Sequence, residues 1–413
     1  MPFNSKFWLR FSVINLLIVA LLGLLMRYKI GFEFPFFNQK NILHSHSHFA
    51  FSGWISHTLI LLMVLFLEKT TTQKRETFSE NYNLILMANL ICAYGMLISF
   101  IIEGYGAISI FFSTMSIIVS YAFGYRFWND LKFVEKENLS INWFKGAIFF
   151  NVLSSIGTFF LAYMMATKNI LQNEYLASIY YYLHFQYNGW FFFACMGLLF
   201  YFFNLKTTEN SFYNKVFWWF FVTCIPAYFL STLWLKLPSW LYFLIIIAAF
   251  VQVYGWFRLL FVLYREKQIS LKNYPLFLRY ILLFIGIALT IKLLLQLGSV
   301  IPALSQLAFG FRPIVIAYLH LVLLAIISLF LLFYIFGKHL LFISKGAKNG
   351  LILFSIGVFL NELFLAIQGM ASFSYTLIPK INELLFVAAL VMVSGLSIMI
   401  FHILKKVKIS PLL

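Results

Sequence analysis

The sequence predicts an all-α polytopic membrane protein of twelve transmembrane helices, arranged as three four-helix units with pseudo-threefold symmetry. Three observations lead there. The 413 residues are 62% hydrophobic and only 10% charged, a composition that no water-soluble fold of this size covers with polar surface. Apolar stretches of about 20 residues, the length that crosses a hydrocarbon core about 30 Å thick, follow one another with short polar gaps from Phe7 to Leu404. Finally, one histidine recurs at a fixed interval, since His48, His184 and His320 stand 136 residues apart in turn. The expected organisation is one membrane domain over residues 1–413, with repeat units of about 1–140, 141–276 and 277–413.

In chain order, the spans fall near 7–26, 45–67, 82–101, 105–125, 144–165, 176–203, 216–235, 239–263, 276–298, 313–336, 350–371 and 381–404. The first is read as a retained span rather than a signal peptide, because Arg27, Tyr28 and Lys29 follow it where a small-residue cleavage site belongs. The net charge of +17 is concentrated in alternate loops. These carry Lys6 and Arg10, then Lys69, Lys74 and Arg75, then Arg126, Lys132 and Lys136, then Lys206 and Lys215. Arg265, Lys267, Lys272 and Arg279 follow, then Lys338, Lys345 and Lys348, and finally Lys405, Lys406 and Lys408. The positive-inside rule places those loops and both termini on the cytoplasmic side, and removes any need for a nucleic-acid partner. Cys92, Cys195 and Cys224 lie within apolar segments without CxxC spacing and read as small core residues.

The histidines stand near the outer ends of spans 2, 6 and 10. His48-Phe49-Ala50-Phe51-Ser52-Gly53-Trp54 matches His184-Phe185-Gln186-Tyr187-Asn188-Gly189-Trp190 in register, and Asn15 and Asn151 obey the same offset. Such self-similarity at a fixed period indicates structural repetition. An imidazole inside a bilayer needs partners, and a metal or haem iron satisfies one ring nitrogen while the other donates to an acceptor. A single histidine is more often a hydrogen-bonded structural residue; three at equivalent depths are more economically explained by a shared site. His44 lies four residues before His48 and shares its helix face, His46 points away, and His57 faces roughly opposite. His44 and His46 are open between metal ligands and interfacial residues. Gly53 and Gly189 are where a missing side chain would let a neighbouring helix or a flat macrocycle approach. Lys292 and Glu362, both near mid-span, are candidates for a charge pair or a proton path, whereas His339 and His402 sit beside lysines and read as solvated.

With histidines on spans 2, 6 and 10 near the outer face, the chain resembles the catalytic subunit of the haem-copper oxidase and nitric-oxide reductase superfamily. The resemblance implies that His48 and His320 ligate a haem b from opposite faces and that His184 belongs to a site for copper or another metal. It also implies an oxidoreductase with redox partner subunits and a quinone or cytochrome donor. The chain departs from that family at Tyr318, where a second histidine is expected two residues before the haem ligand. It departs again in Val216 to Leu235, which holds no histidine, and before the last span, where Lys380 stands in place of paired arginines. The resemblance therefore extends to haem-linked electron transfer or nitric-oxide chemistry, without a complete binuclear oxygen-reducing site. A second resemblance is to NnrS-type membrane proteins, carried by His46-Ser47-His48 followed by Gly53 and an aromatic residue; Phe49 replaces the acidic residue usual there. The competing expectations are a transporter or metal-handling permease, with the histidines along an outward path, and a non-catalytic subunit of a respiratory complex.

Overall fold

Apolar runs of this length have one stable backbone solution in a bilayer, the helix, because it satisfies its own amide and carbonyl groups. The computed structural model describes residues 3–71, 80–205, 210–266 and 271–405, and they form helices and connecting turns with no extended strand among them. In chain order these are α1 (Ser5–Gly31), α2 (Gln39–Thr70), α3 (Glu80–Glu103), α4 (Ala107–Asp130) and α5 (Ser140–Thr167). They continue as α6 (172–202), α7 (Asn210–Ala227), α8 (Ser239–Arg265), α9 (Leu276–Gly298), α10 (Pro302–Gly310), α11 (Arg312–Gly337), α12 (Lys345–Phe373) and α13 (Ile381–Lys405). Ten of these helices are long and apolar enough to cross a membrane, so the chain is a multi-pass membrane protein. Lys74, Arg75, Lys206, Lys267, Lys406 and Lys408 of the charge pattern lie outside the described residues.

Local chemistry sets the helix ends. The side chains of Asn4, Asn38 and Ser344 accept amide hydrogen bonds at the starts of α1, α2 and α12. Pro302 and Pro313 fall in the first turns of α10 and α11, where a missing N–H costs nothing. Pro226 lies inside α7, which gives way to a 3-10 turn at Tyr228–Thr232.

The chain divides into two compact units, residues 1–133 with 328–413, and residues 134–327. The boundary near 133 falls close to the end of the first predicted repeat, whereas the third repeat is divided within α11. In the first unit α1 packs on α2 and α13, α3 on α2 and α4, and α12 on α13. The last pair crosses on glycines from both sides. A Cβ on Gly350 would stand 2.5 Å from the Met399 amide, and one on Gly395 would strike the Phe354 backbone. In the second unit α5 packs on α6, α7 on α8, and α8 on α9.

Burial is deepest along α2 and in stretches of α6 and α11. The apolar window of α2 is 83% buried, against 22% for that of α4. His57 to Leu67 of α2 and Leu329 to Gly337 of α11 are buried on every face, as are Phe185 to Phe191 of α6. Helices apolar all round are placed in the interior, and those with one packed face meet lipid with the other.

The same three helices share a second property: each changes from α to π winding within two residues after its repeat histidine. The π segments are Ala50–Ser56, Phe185–Phe191 and Leu321–Ser328, after His48, His184 and His320 respectively. A π turn inserts an extra residue and loosens the carbonyl ladder, so polar side chains have to satisfy what it frees. In the first unit, Asn15 donates to the Gly53 carbonyl at 2.6 Å and Asn89 to the Ser52 carbonyl at 3.1 Å.

Candidate functional site

In the first unit, α2 carries the dense histidine stretch. His48 lies half-buried with its ring stacked on Phe100 of α3, centroids 4.3 Å apart, and its Nε2 is 3.1 Å from the Tyr105 hydroxyl. Tyr105 comes from the short α3–α4 connection, where Gly104 takes φ +67° against the Asn41 side chain, a left-handed conformation that glycine adopts without strain. His44, one turn outward on the same face, meets the Tyr105 ring edge-on at 4.6 Å, and its Nε2 is buried without a hydrogen-bond partner. His46 turns to α1, where its Nδ1 lies 3.0 Å from the Val19 carbonyl and its ring covers Gly23. His57 is fully buried beside Trp8, with Nδ1 3.3 Å from the Asn89 amide. The structure thus keeps His44 and His48 together and sends His46 and His57 elsewhere.

In the second unit, His184 is 1% exposed and held at both ring nitrogens. Its Nε2 donates to the Cys224 carbonyl of α7 at 2.9 Å, and its Nδ1 accepts from the Asn188 amide at 3.1 Å. That pair of bonds fixes a neutral ring protonated at Nε2. The Cys224 thiol donates to the Asn188 carbonyl of the π segment at 3.8 Å, which ties α7 to the loosened turn. One layer away, Gln186 donates to both Asn151 Oδ1 at 3.1 Å and Ser154 Oγ at 2.8 Å. Gly189 admits the Phe150 side chain of α5, so its missing Cβ serves helix packing. A metal on His184 would have to displace one of these protein partners.

His320 ends the α-helical part of α11, and no residue from Arg312 to His320 is fully buried. Its Nδ1 lies 2.9 Å from the Ile316 carbonyl one turn back. When that nitrogen carries the proton, Nε2 holds the lone pair, the tautomer that a ligating imidazole uses. The π segment after it ends at Ser328, whose hydroxyl accepts from Trp54 Nε1 at 2.8 Å within the first unit.

His48 belongs to the first unit, and His184 and His320 to the second. Among the described residues no three His, Cys, Asp or Glu side chains gather as a metal-holding group. All three cysteines are free and buried. Arg126–Asp130 and Arg265–Glu266 are ion pairs, and among the described residues neither Lys292 nor Glu362 is in one. Glu362 accepts instead from the neighbouring Asn361 amide at 3.1 Å. Sequence reasoning missed Tyr105, Phe100, Asn89, Asn188 and Cys224. Only Asn188 stood inside a motif, four residues after His184, where the i, i+4 spacing of a helix signals contact. No protein-family model matches the chain, and no curated protein matches its sequence.

Proposed function

We propose that this chain is a haem-binding membrane protein, built on the twelve-span, three-unit plan of the oxidase catalytic subunit and lacking a complete binuclear site. A b-type haem, which His48 and His320 would hold, would supply one-electron chemistry for electron transfer or nitric-oxide-related reactions. The protein would reside in a bacterial cytoplasmic membrane with both termini inside, next to a quinol or cytochrome donor.

One observation carries the reading: three histidines at 136-residue intervals, each opening a π segment. π turns inside helices occur often at functional sites, because the extra residue re-aims the side chains around it. Each proposed ligand also has surroundings that suit iron. His320 has its Nδ1 against a backbone carbonyl, which orients the ring, and His48 has its Nε2 on the hydroxyl of an exposed loop tyrosine. His184 has both nitrogens bonded to protein groups and is assigned to structure.

The protein, expressed with ample haem and purified in detergent, should give a pyridine haemochrome of the b type in stoichiometric amount. Purified protein without haem would overturn the proposal.

A further inference from the structure

The second unit holds a polar cluster that the haem reading does not use. Lys292 on α9 is 5% exposed and lies within electrostatic reach of the Cys224 thiol and of His184. Gln296 is one helical turn further on the same face, 7% exposed, and its Oε1 is buried without a hydrogen-bond partner. Asn188, 8% exposed, spends its amide N–H on His184 and leaves its Oδ1 in the same condition. The titratable groups facing the cluster are His184 and Tyr187 from α6, Cys224 from α7 and Tyr318 from α11, the two tyrosine rings being 6.2 Å apart. Tyr187 is further bonded to Ser231, and Tyr318 is in contact with Asn188. No carboxylate is among these groups.

We propose that Lys292 is a proton-exchanging site inside the membrane, with Gln296 and Asn188 holding the water through which its proton comes and goes. A permanent ammonium charge at this depth with no anion beside it is costly, on the order of several kcal/mol. An amine that can release its proton avoids that cost. Release needs an acceptor, and a bound water that makes two to four hydrogen bonds would find two buried amide oxygens without partners, one a helical turn along α9 and one on the residue bonded to His184. The step balances without a redox partner: Lys292 Nζ–H breaks, water takes the proton, and the nitrogen keeps the electron pair. The proposal stands independently of haem binding.

The test is magic-angle-spinning NMR of the full chain in lipid, with lysine labelled at 15Nζ and the pH stepped between about 5 and 10. The Lys292 resonance is identified by its loss in Lys292→Met, or in Lys292→Arg if the first variant does not fold. It should move reversibly between the ammonium and amine positions, and Gln296→Leu should slow its exchange with bulk water at least about tenfold. A resonance fixed in one protonation state across the range would overturn the proposal, as would exchange unaffected by Gln296→Leu.

Discussion

The first and second units use the same helix device around two differently placed imidazoles. Each has a histidine at the end of an α-helical run, a π segment of seven residues beginning within two positions of it, and a Gly-Trp pair inside that segment. Each also has an asparagine on the preceding helix tied to the π segment, Asn15 to the Gly53 carbonyl and Asn151 to Gln186. The imidazoles differ. His184 is sealed, with one nitrogen on a backbone carbonyl and the other on an amide of its own helix. His48 is half-buried, and its Nε2 meets a hydroxyl on a short loop. The comparison teaches that equivalent positions do not give equivalent imidazoles: Asn188 within the motif and Cys224 outside it commit both nitrogens of His184, while Tyr105 from a loop meets one nitrogen of His48.

The largest expected contrast is in stability. His184→Ala leaves the Cys224 carbonyl and the Asn188 amide unpaired and opens a cavity, which should cost about 2–4 kcal/mol. His48→Ala, at a half-buried position, should cost less than about 1.5 kcal/mol by the same accounting. Thermal unfolding of both variants in one detergent makes the comparison, and equal losses would break the distinction between a sealed and an open site. Glycine substitutions sharpen it next. Gly189→Ala collides with the Phe150 Cβ, which cannot rotate away, whereas Gly53→Ala meets only the outer ring atoms of Phe49. Overpacking of that kind should cost about 1–3 kcal/mol at Gly189 and distinctly less at Gly53.

A further effect is expected at the two asparagines that share the 136-residue offset. Asn15→Leu strips the Gly53 carbonyl and the Tyr94 hydroxyl of their partner, an expected loss of about 1–3 kcal/mol. Asn151→Leu should cost less, because Gln186 retains Ser154 Oγ at 2.8 Å. The smallest effect lies at the end of α11. Lys338 sits below the ordinary lysine range, chiefly through burial and secondarily through the nearby Lys69. A folded-state value below the unfolded one means that the folded protein binds this proton less tightly. Stability should therefore rise as pH rises through the folded value toward about 10.4, and Lys338→Met should flatten that rise. Unfolding temperatures of the two proteins at pH 7 and pH 10 make the check.

The legible part of the fold was what composition and spacing encode: helices long enough to cross a bilayer, and histidines at one interval. Among the described residues ten helices are long and apolar enough to span, where twelve spans were expected, and a π segment follows each of the three histidines. The π winding itself was not legible, because Ala50–Ser56, with Ser52, Gly53 and Ser56, and the almost wholly apolar Leu321–Ser328 share no common pattern. His46 and His57 turned away from His48 as helix geometry requires. The partners of His184 and His48 were not legible. Cys224 is 40 residues from His184, and Tyr105 is 57 from His48; nothing in a helix period links positions that tertiary packing brings together. The repeat arithmetic treated the three histidines as equivalents, and the second unit shows why that was incomplete: one extra amide at Asn188 is enough to close a nitrogen that Ser52, its counterpart in the first unit, leaves alone.

The most direct test of the central claim is a reduced-minus-oxidised absorbance spectrum recorded on purified wild type, His48→Ala, His320→Ala and His184→Gln. The account predicts a low-spin b-type signal in wild type and His184→Gln and its loss in the other two. A signal that survives both His48→Ala and His320→Ala, or that disappears only with His184→Gln, would contradict it.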